Sequence, residues 1–308
     1  KTYTASTWLL RNALDKGKKI LWLAHRQTLL DQAAESFQKF AYSTELPHIS
    51  SFRYRIISGA SSHDKTVNIE PTDDLLIVSK DSIGRNLERL DKWLDGEKEI
   101  FLVVDEAHHA LAKTYSFLMK AFPEAKKLGV TATPYRLSGE GFTDLFDELL
   151  VSKSIYDFMI DGRLSLYDYL TVKEDAEDLQ LIKSIRKHGA DGDYDSKELD
   201  SKYNQSKTIE HLFASFKRYA SDRKGFVYAM NINHAENIAA YYSSMGIKAV
   251  AVSSQTPKKE RQKTIDAFKN GAIQVLVSVD LFSEGFDVPD AEFIQLARPT
   301  LSLAKHLQ

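Results

Sequence analysis

Residues 99–110 of the chain read EIFLVVDEAHHA, and this stretch decides the fold. Four consecutive apolar residues, 101–104, leave no polar face, which is typical of a central strand in a parallel sheet covered on both sides. Asp105 and Glu106 follow directly, so they should lie at the carboxyl end of that strand, where open α/β sheets bind their ligands. The stretch therefore predicts a buried parallel strand that ends in a pair of carboxylates.

This strand belongs to a series of short apolar runs separated by longer stretches with helical periodicity. Such alternation predicts an α/β fold, in which mainly parallel sheets are flanked by helices. Thr28 and Thr256 are placed to begin two of these helices, and Gly271 to end the second. The other runs occupy residues 18–25, 75–80, 127–134, 224–231, 248–254, 273–280 and 292–299, and FRYRI at 52–56 predicts an ordinary two-faced strand.

The length of the chain predicts two domains, because 308 residues exceed the roughly 100 to 200 of a single domain. Between about Lys173 and Lys207 the strand-like runs give way to charged and turn residues, which indicates a connecting segment with one short helix. We predict domains at residues 1–160 and 208–308, joined by residues 161–207. The similar order of strands and helices in the two halves is consistent with two copies of one fold.

Composition excludes several kinds of site. The absence of cysteine excludes disulfides and thiolate metal sites, and the nine histidines never fall at zinc spacing. With 41 basic and 43 acidic residues, any nucleic-acid binding would use a local groove rather than a strongly basic surface. No apolar run approaches the ~20 residues of a membrane-spanning helix, so we predict a soluble, cytoplasmic protein without a membrane partner.

The adjacent carboxylates suit a nucleotide site. Asp105 can hold Mg²⁺ through water, Glu106 can orient and deprotonate the water that attacks a γ-phosphate, and His108 is placed to sense that state. In one alternative the pair caps the following helix, which carboxylates stabilise by ~0.3–1 kcal/mol. In another, Asp105, His108 and His109 bind a metal, although neighbouring helical residues point roughly 100° apart and share a metal with difficulty.

Ordered motifs resemble those of the superfamily 2 helicases and translocases. Residues 105–108 (DEAH) resemble their second motif, GVTATPYR at 129–136 their Ser/Thr-Ala-Thr motif, and VLVSVDLFSEGFDVPD at 275–290 their motif V. Within that superfamily the chain most resembles the DEAH-type motors of type I and type III restriction enzymes and the RadD-like repair helicases. The further stretches that carry this narrower resemblance are residues 21–33, 192–199 (GDYDSKEL), 226–239 and 260–271. The resemblance implies two RecA-like domains with ATP and Mg²⁺ in the cleft between them, and nucleic acid across the top of both.

The resemblance also implies roles for the residues of the first half. Asp105 would associate with Mg²⁺, Glu106 would position the attacking water, and His108 would couple the nucleotide site to its neighbours. Thr131 and Thr133 would couple hydrolysis to domain movement. The alternative for these threonines is a polar strand end that bonds its own turn.

Further residues resemble the ATP-binding positions of the family. Lys1 and Thr2 precede a helix-like run and a strand, the order that follows the Gly-Lys-Thr of the family's phosphate-binding loop, so we expect them to bind ATP and Thr2 to help hold Mg²⁺. Gly285 would permit a close backbone turn, and Asp287 would accept hydrogen bonds from ribose or a facing arginine, unless it merely forms the turn. Gln308 stands at the first position of the expected Q-x-x-G-R-x-x-R.

Nucleic-acid contacts are expected at the ends of other strands. The positions at which related motors contact the phosphate backbone fall on Arg26, Gln27, Ser79, Lys80 and Arg136. Phosphate contacts fix position without reading sequence, which suits a motor on arbitrary DNA. Solvated surface is the equally weighted alternative for each of these residues.

The leading hypothesis is the motor core of an ATP-dependent superfamily 2 DNA helicase or translocase, in restriction or DNA repair. Glu284 stands where many RNA helicases of the superfamily have an arginine before the motif V glycine, which favours the restriction and repair branch. DNA is therefore the expected partner, with RNA the less favoured one, and a nuclease or other subunits of a larger assembly are compatible partners. We expect the chain alone to hydrolyse ATP weakly or not at all. The alternative is a catalytically inactive nucleic-acid-binding or scaffold module with the same fold; a two-domain glycosyltransferase explains none of the ordered motifs.

Overall fold

The fold is described by a computed structural model, which divides into two compact units at Lys1–Ser152 and Lys153–Gln308. The predicted site residues Thr133, Arg136, Gly285, Asp287 and Gln308 lie outside the described residues, and the domain bounds 1–160, 161–207 and 208–308 stay a prediction. The described residues are 1–83, 86–96, 99–109, 113–132, 145–171, 177–188, 193–279, 281 and 288–301.

The first unit is built on a parallel sheet of five strands in the order β2-β3-β1-β4-β5. Its strands are β1 (Ile20–Ala24), β2 (Tyr54–Ile57), β3 (Leu75–Ser79), β4 (Phe101–Asp105) and β5 (Lys126–Val130). Its helices are α1 (Thr2–Asn12), α2 (Gln27–Lys39), α3 (Lys80–Ile83), α4 (Leu87–Leu94) and α5 (Lys113–Ala121).

Both faces of this sheet are packed, which explains why its central strands have no polar face. On β1, Trp22 belongs to an apolar cluster that includes residues of α1 and α2, whereas Leu21 and Leu23 belong to a second cluster that includes α4 and α5. Every residue of β1 and β4 is buried. The prediction that residues 101–104 form a central strand is therefore confirmed.

The second unit contains a parallel sheet of four strands in the order β7-β8-β6-β9. Counted within their own units, the strands β6 to β9 stand in the order 2-3-1-4, which is also the order of β1 to β4. The two halves thus share one strand arrangement. The strands are β6 (Gly225–Tyr228), β7 (Ala249–Val252), β8 (Val275–Ser278) and β9 (Phe293–Leu296). The helices are α6 (Ile155–Ile160), α7 (Glu177–Lys183), α8 (Ser196–Tyr203), α9 (Ser206–Tyr219), α10 (Ile232–Ser244) and α11 (Lys258–Lys269).

All of the predicted strands are present, but some local predictions are wrong. Helix α2 begins before Thr28, because the extended Arg26 already occupies the position that caps it. The hydroxyl of Thr256 accepts a hydrogen bond from the Ser253 N–H in the preceding turn, so Pro257 caps α11 instead. Gly271 follows α11 with φ 81°, as a helix-ending glycine should.

Within its described residues, the predicted connecting segment holds the helices α7 and α8 rather than one short helix. Leu199 and Tyr203 of α8 are buried with Ile185 in a small apolar cluster of the second unit. The segment is therefore packed protein rather than a bare linker. No helix in the described ranges is long and apolar enough to cross a membrane; the cytoplasmic location stays a prediction.

Candidate active site

The candidate site lies at the carboxyl ends of β4 and β5, which are neighbours in the first sheet. Asp105, the last residue of β4, is paired with Val130, the last residue of β5. Thr131 follows β5 directly, so the two carboxylates and this threonine leave the sheet at one edge. This is the edge at which parallel sheets bind ligands.

A sharp turn after β4 orients the carboxylates. Glu106 has φ 51°, in the left-handed region, which costs a residue other than glycine on the order of 1–2 kcal/mol. The Glu106 N–H donates to Asp105 Oδ1 at 3.0 Å and thereby holds the turn. Asp105 and Glu106 are 1% and 4% exposed, so both acidic groups are nearly out of bulk water.

Lys1 contacts the second of these carboxylates. Its Nζ forms an ion pair with Glu106 Oε1, and the side chain of Glu106 is the more deeply buried of the two. Lys1 also stands immediately before α1, whose first turn is closed by the Ala5 N–H donating to the Lys1 carbonyl. A lysine at a helix N-terminus favours anions twice over, through its own charge and through the helix dipole.

His108 joins the carboxylate of one strand end to the hydroxyl of the next. It lies in a short 3₁₀ turn, Ala107–His109. Its Nδ1 is 3.0 Å from Thr131 Oγ1 and 3.5 Å from Glu106 Oε2. A change in the charge or position of Glu106 would therefore act directly on the group that holds Thr131.

The structure describes four of the residues predicted to bind nucleic acid, and they lie along the same edge of the first sheet: Arg26, Gln27, Ser79 and Lys80. Strands β1 and β3 are neighbours with Ala24 opposite Ser79, so Arg26 and Lys80 follow adjacent strand ends. Gln27 is exposed, and the other three are half-buried. Lys80 Nζ lies 5.8 Å from the centre of a tyrosine ring of α5.

A further polar cluster, which the sequence did not indicate, lies at the end of β2. Ser58 Oγ is 2.7 Å from His63 Nδ1, and His63 Nε2 is 2.9 Å from Asp31 Oδ1 on α2. The buried Ser58 hydroxyl also accepts from the Ala60 N–H. These bonds tie the loop after β2 to α2, and a histidine five residues after a serine gives no sequence signal for them.

The acidic groups at this edge fit Mg²⁺ better than a metal that needs several protein ligands. Magnesium is usually held by one or two carboxylates together with water and substrate phosphates. Asp105 supplies such a carboxylate. In the part of the chain that the structure describes, no group of three or more His, Asp or Glu side chains could hold a metal ion.

Two family models match the chain. Residues 1–136 match the type III restriction enzyme res subunit, and residues 181–308 match the helicase conserved C-terminal domain. A 51.5 kDa protein of a Lactococcus phage is 32% identical over 96% of this chain and 56% of its own length. A Saccharomyces cerevisiae protein with the provisional name ATP-dependent helicase IRC3 is 27% identical over 94% of this chain and 40% of its own. The chain thus spans about half the length of the curated relatives it matches.

Among solved structures, the chain resembles Dbp5 L327V of S. cerevisiae, bound to RNA and ADP BeF3, with a TM-score of 0.55. The similarity covers 100% of this chain and 71% of that one at 14% identity, so it shows the fold alone. Three findings indicate the same kind of protein: the two parallel sheets, the family models over both halves and the relative with a helicase name. These findings support a superfamily 2 helicase that is related to the type III restriction motors and is built of two RecA-like units.

Proposed function

We propose that the chain is the motor core of an ATP-dependent DNA helicase or translocase. The observation that carries this proposal is the convergence of Lys1, Glu106, His108 and Thr131 at one edge of the first sheet. These residues come from three separate parts of the sequence. In this proposal Lys1 binds phosphate, Glu106 is the general base, and His108 and Thr131 couple hydrolysis to movement; their contacts hold all four in one cluster.

Glu106 is the proposed base for ATP hydrolysis. Its carboxylate would take a proton from a water whose oxygen attacks the γ-phosphorus, while the bond from that phosphorus to the β–γ bridging oxygen breaks. Lys1 would leave its ion pair with Glu106 for the ATP phosphates, which frees the carboxylate to accept the proton. Asp105 and Thr2 would hold Mg²⁺, which when bound neutralises charge on the phosphates.

The bond between His108 and Thr131 is the proposed route from hydrolysis to movement. When Glu106 changes its partner, His108 Nδ1 gains or loses an acceptor at 3.5 Å and can shift its bond to Thr131. Thr131 begins the segment after β5 that also carries Thr133. A two-state element of this kind lets nucleotide state bias the grip on nucleic acid.

DNA is the proposed track, held through its phosphates by Arg26, Gln27, Ser79, Lys80 and Arg136. The family model over residues 1–136 is described as a restriction enzyme subunit, a description that supports DNA and a role in restriction or repair. The solved structure of similar fold is bound to RNA, so RNA is the competing track. Partner subunits such as a nuclease belong to the same proposal.

The test is the steady-state ATPase rate of the complete gene product with duplex DNA, single-stranded DNA or RNA. We expect DNA to raise kcat by tenfold or more over the rate without nucleic acid, an effect of about 1.4 kcal/mol. Greater stimulation by RNA would refute the DNA assignment. ATP and DNA binding without hydrolysis would instead support the inactive scaffold module, and no response to nucleic acid would refute the motor.

A further inference from the structure

Residues 193–204 of the second unit, which we call the strap, contact the ends of two neighbouring strands. The strap comprises a short acidic turn and α8, and it lies within the predicted connecting segment, residues 161–207. Strands β6 and β9 are parallel neighbours with Tyr228 opposite Leu296. Their carboxyl ends form part of the ligand-binding edge expected of this sheet.

One end of the strap holds the loop that follows β9. Asp193 Oδ1 accepts from the Leu301 N–H at 2.8 Å, and its Oδ2 accepts from Thr300 Oγ1 at 2.9 Å. Oδ1 also accepts from the Tyr194 N–H at 2.9 Å. Asp193 is 6% exposed, and hydrogen bonds to an ionised acceptor shielded from water are the strong, directional kind.

The other end of the strap holds the loop that follows β6. Asp200 Oδ1 accepts from Asn231 Nδ2 at 2.7 Å and from Asn204 Nδ2 at 3.0 Å. Asn231 in turn caps α10, because its Oδ1 accepts from the His234 N–H at 2.8 Å. Asp200 therefore fixes the residue at which the chain turns from β6 into α10.

Apolar contacts make the strap a firm support. Leu199 and Tyr203 are buried beside Ile185, and Met230 from the loop after β6 packs on the same cluster. The ring of Tyr203 also meets the ring of His234 edge-on, with 6.2 Å between centroids. The strap thus rests on the loop after β6 while its acidic turn holds the loop after β9.

We propose that Asp193 and Asp200 are positioning residues of the motor, which act by fixing the two loops at the carboxyl ends of β6 and β9. The inference rests on the proposed function. Leu301 stands seven residues before Gln308, the expected ATP-binding position, so Asp193 fixes the backbone close in sequence to that position. Displacing catalytic groups by about 1 Å can cost on the order of a hundredfold in rate.

The experiment compares Asp193→Ala, Asp193→Asn and Asp290→Ala in the complete gene product. Asp193→Asn keeps an oxygen for the Leu301 N–H and an amide that can bond Thr300. Asp290→Ala is the matched control, since Asp290 contacts Lys224 and so ties the amino ends of the same two strands at the opposite edge. Each variant is assayed for kcat and KM of DNA-stimulated ATP hydrolysis and for hydrogen exchange of the Thr300 and Leu301 amides.

In Asp193→Ala we expect the backbone amides of Thr300 and Leu301 to exchange hydrogen faster than in the wild type. We also expect kcat to fall about 10- to 100-fold, with KM for ATP little changed. Asp193→Asn and Asp290→Ala should stay near the wild type. A wild-type kcat in Asp193→Ala, or equal losses in Asp290→Ala, would overturn the inference while leaving the proposed function intact. If Asp193→Ala does not fold, Asp193→Asn provides the test. A kcat well below the wild type in Asp193→Asn, in a variant that is as stable as the wild type in urea unfolding, would overturn the inference as well.

A wild-type protein without DNA-stimulated hydrolysis would refute the proposed function instead. In that case hydrogen exchange still tests whether Asp193 holds the loop after β9, because this measurement does not depend on ATP hydrolysis. Unchanged exchange at Thr300 and Leu301 in Asp193→Ala would show that the carboxylate does not hold the loop and would overturn the inference directly.

Discussion

His234 should make the stability of the second unit depend on pH. It lies fully buried in the first turn of α10, and its Nδ1 accepts from the Met230 N–H at 3.3 Å. Burial lowers the pKa of His234 to about 4, and the nearby Asp200 carboxylate opposes this shift only in part. The ring also packs against Tyr203, whose own pKa is raised by burial, so that hydroxyl stays neutral. The folded unit therefore prefers the neutral imidazole.

The size of the effect follows from that pKa. An unfolded histidine titrates near 6.5, so the stabilising preference is fully present above pH 6.5 and is lost as the pH falls towards 4. Each pKa unit is worth about 1.4 kcal/mol, which gives a loss of about 2 kcal/mol at pH 5 and about 3 kcal/mol below pH 4.

The variant His234→Asn keeps an acceptor for the Met230 N–H but cannot titrate. The free energy of unfolding of this variant should be lower than that of the wild type at every pH, because the side chain is smaller. Between pH 6.5 and 5, however, it should fall by about 2 kcal/mol less than the free energy of unfolding of the wild type. Urea unfolding followed by hydrogen exchange of β6 and α10 peptides reads this unit alone. His188→Asn, at an exposed histidine, should keep the wild-type slope. Equal slopes for His234→Asn and the wild type would refute the reasoning.

Three further outcomes are expected. Thr131→Val removes the hydroxyl bonded to His108 and should lower the DNA-stimulated ATPase rate about fivefold, the worth of one hydrogen bond; an unchanged rate would contradict the coupling role. Gly225→Ala should destabilise the second unit by roughly 1–3 kcal/mol in urea unfolding, because a Cβ would stand 2.1 Å from a backbone oxygen of β9, whereas Gly59→Ala meets open space and should change little. Lys80→Ala should reduce the slope of log DNA affinity against log salt by about 1, measured by fluorescence anisotropy; an unaltered slope would mean that Lys80 makes no phosphate contact.

Much of the fold could be predicted because its central strands are almost wholly apolar. In a sheet covered on both faces, a run such as 101–104 must be buried wherever the chain goes, so composition alone identifies it. Helix starts were less predictable. Thr28 and Thr256 are good capping residues, but the chain turned one or two residues away from each, because tertiary position decides which residue becomes extended before a helix.

Part of the candidate site could likewise be predicted from the sequence, and part could not. Asp105 and Thr131 were each predictable at the end of a strand that the pattern locates, but only the strand order of the folded sheet makes them neighbours. The ion pair between Lys1 and Glu106 joins two residues that are far apart in the first unit's sequence, and only a resemblance to a family relates them. The strap contacts from Asp193 to Thr300 and Leu301 have no such signal, since a charged, turn-rich segment has the same composition whether it is a linker or a support.

The central claim is that Glu106 is the base for ATP hydrolysis. It is tested most directly by kcat for DNA-stimulated hydrolysis in Glu106→Gln, beside the control Glu99→Gln at the amino end of the same strand, where Glu99 pairs with exposed Lys126. We predict that Glu106→Gln binds ATP but hydrolyses it about 10²- to 10⁴-fold more slowly, while Glu99→Gln keeps the wild-type rate. Hydrolysis by Glu106→Gln at the wild-type rate would contradict the account.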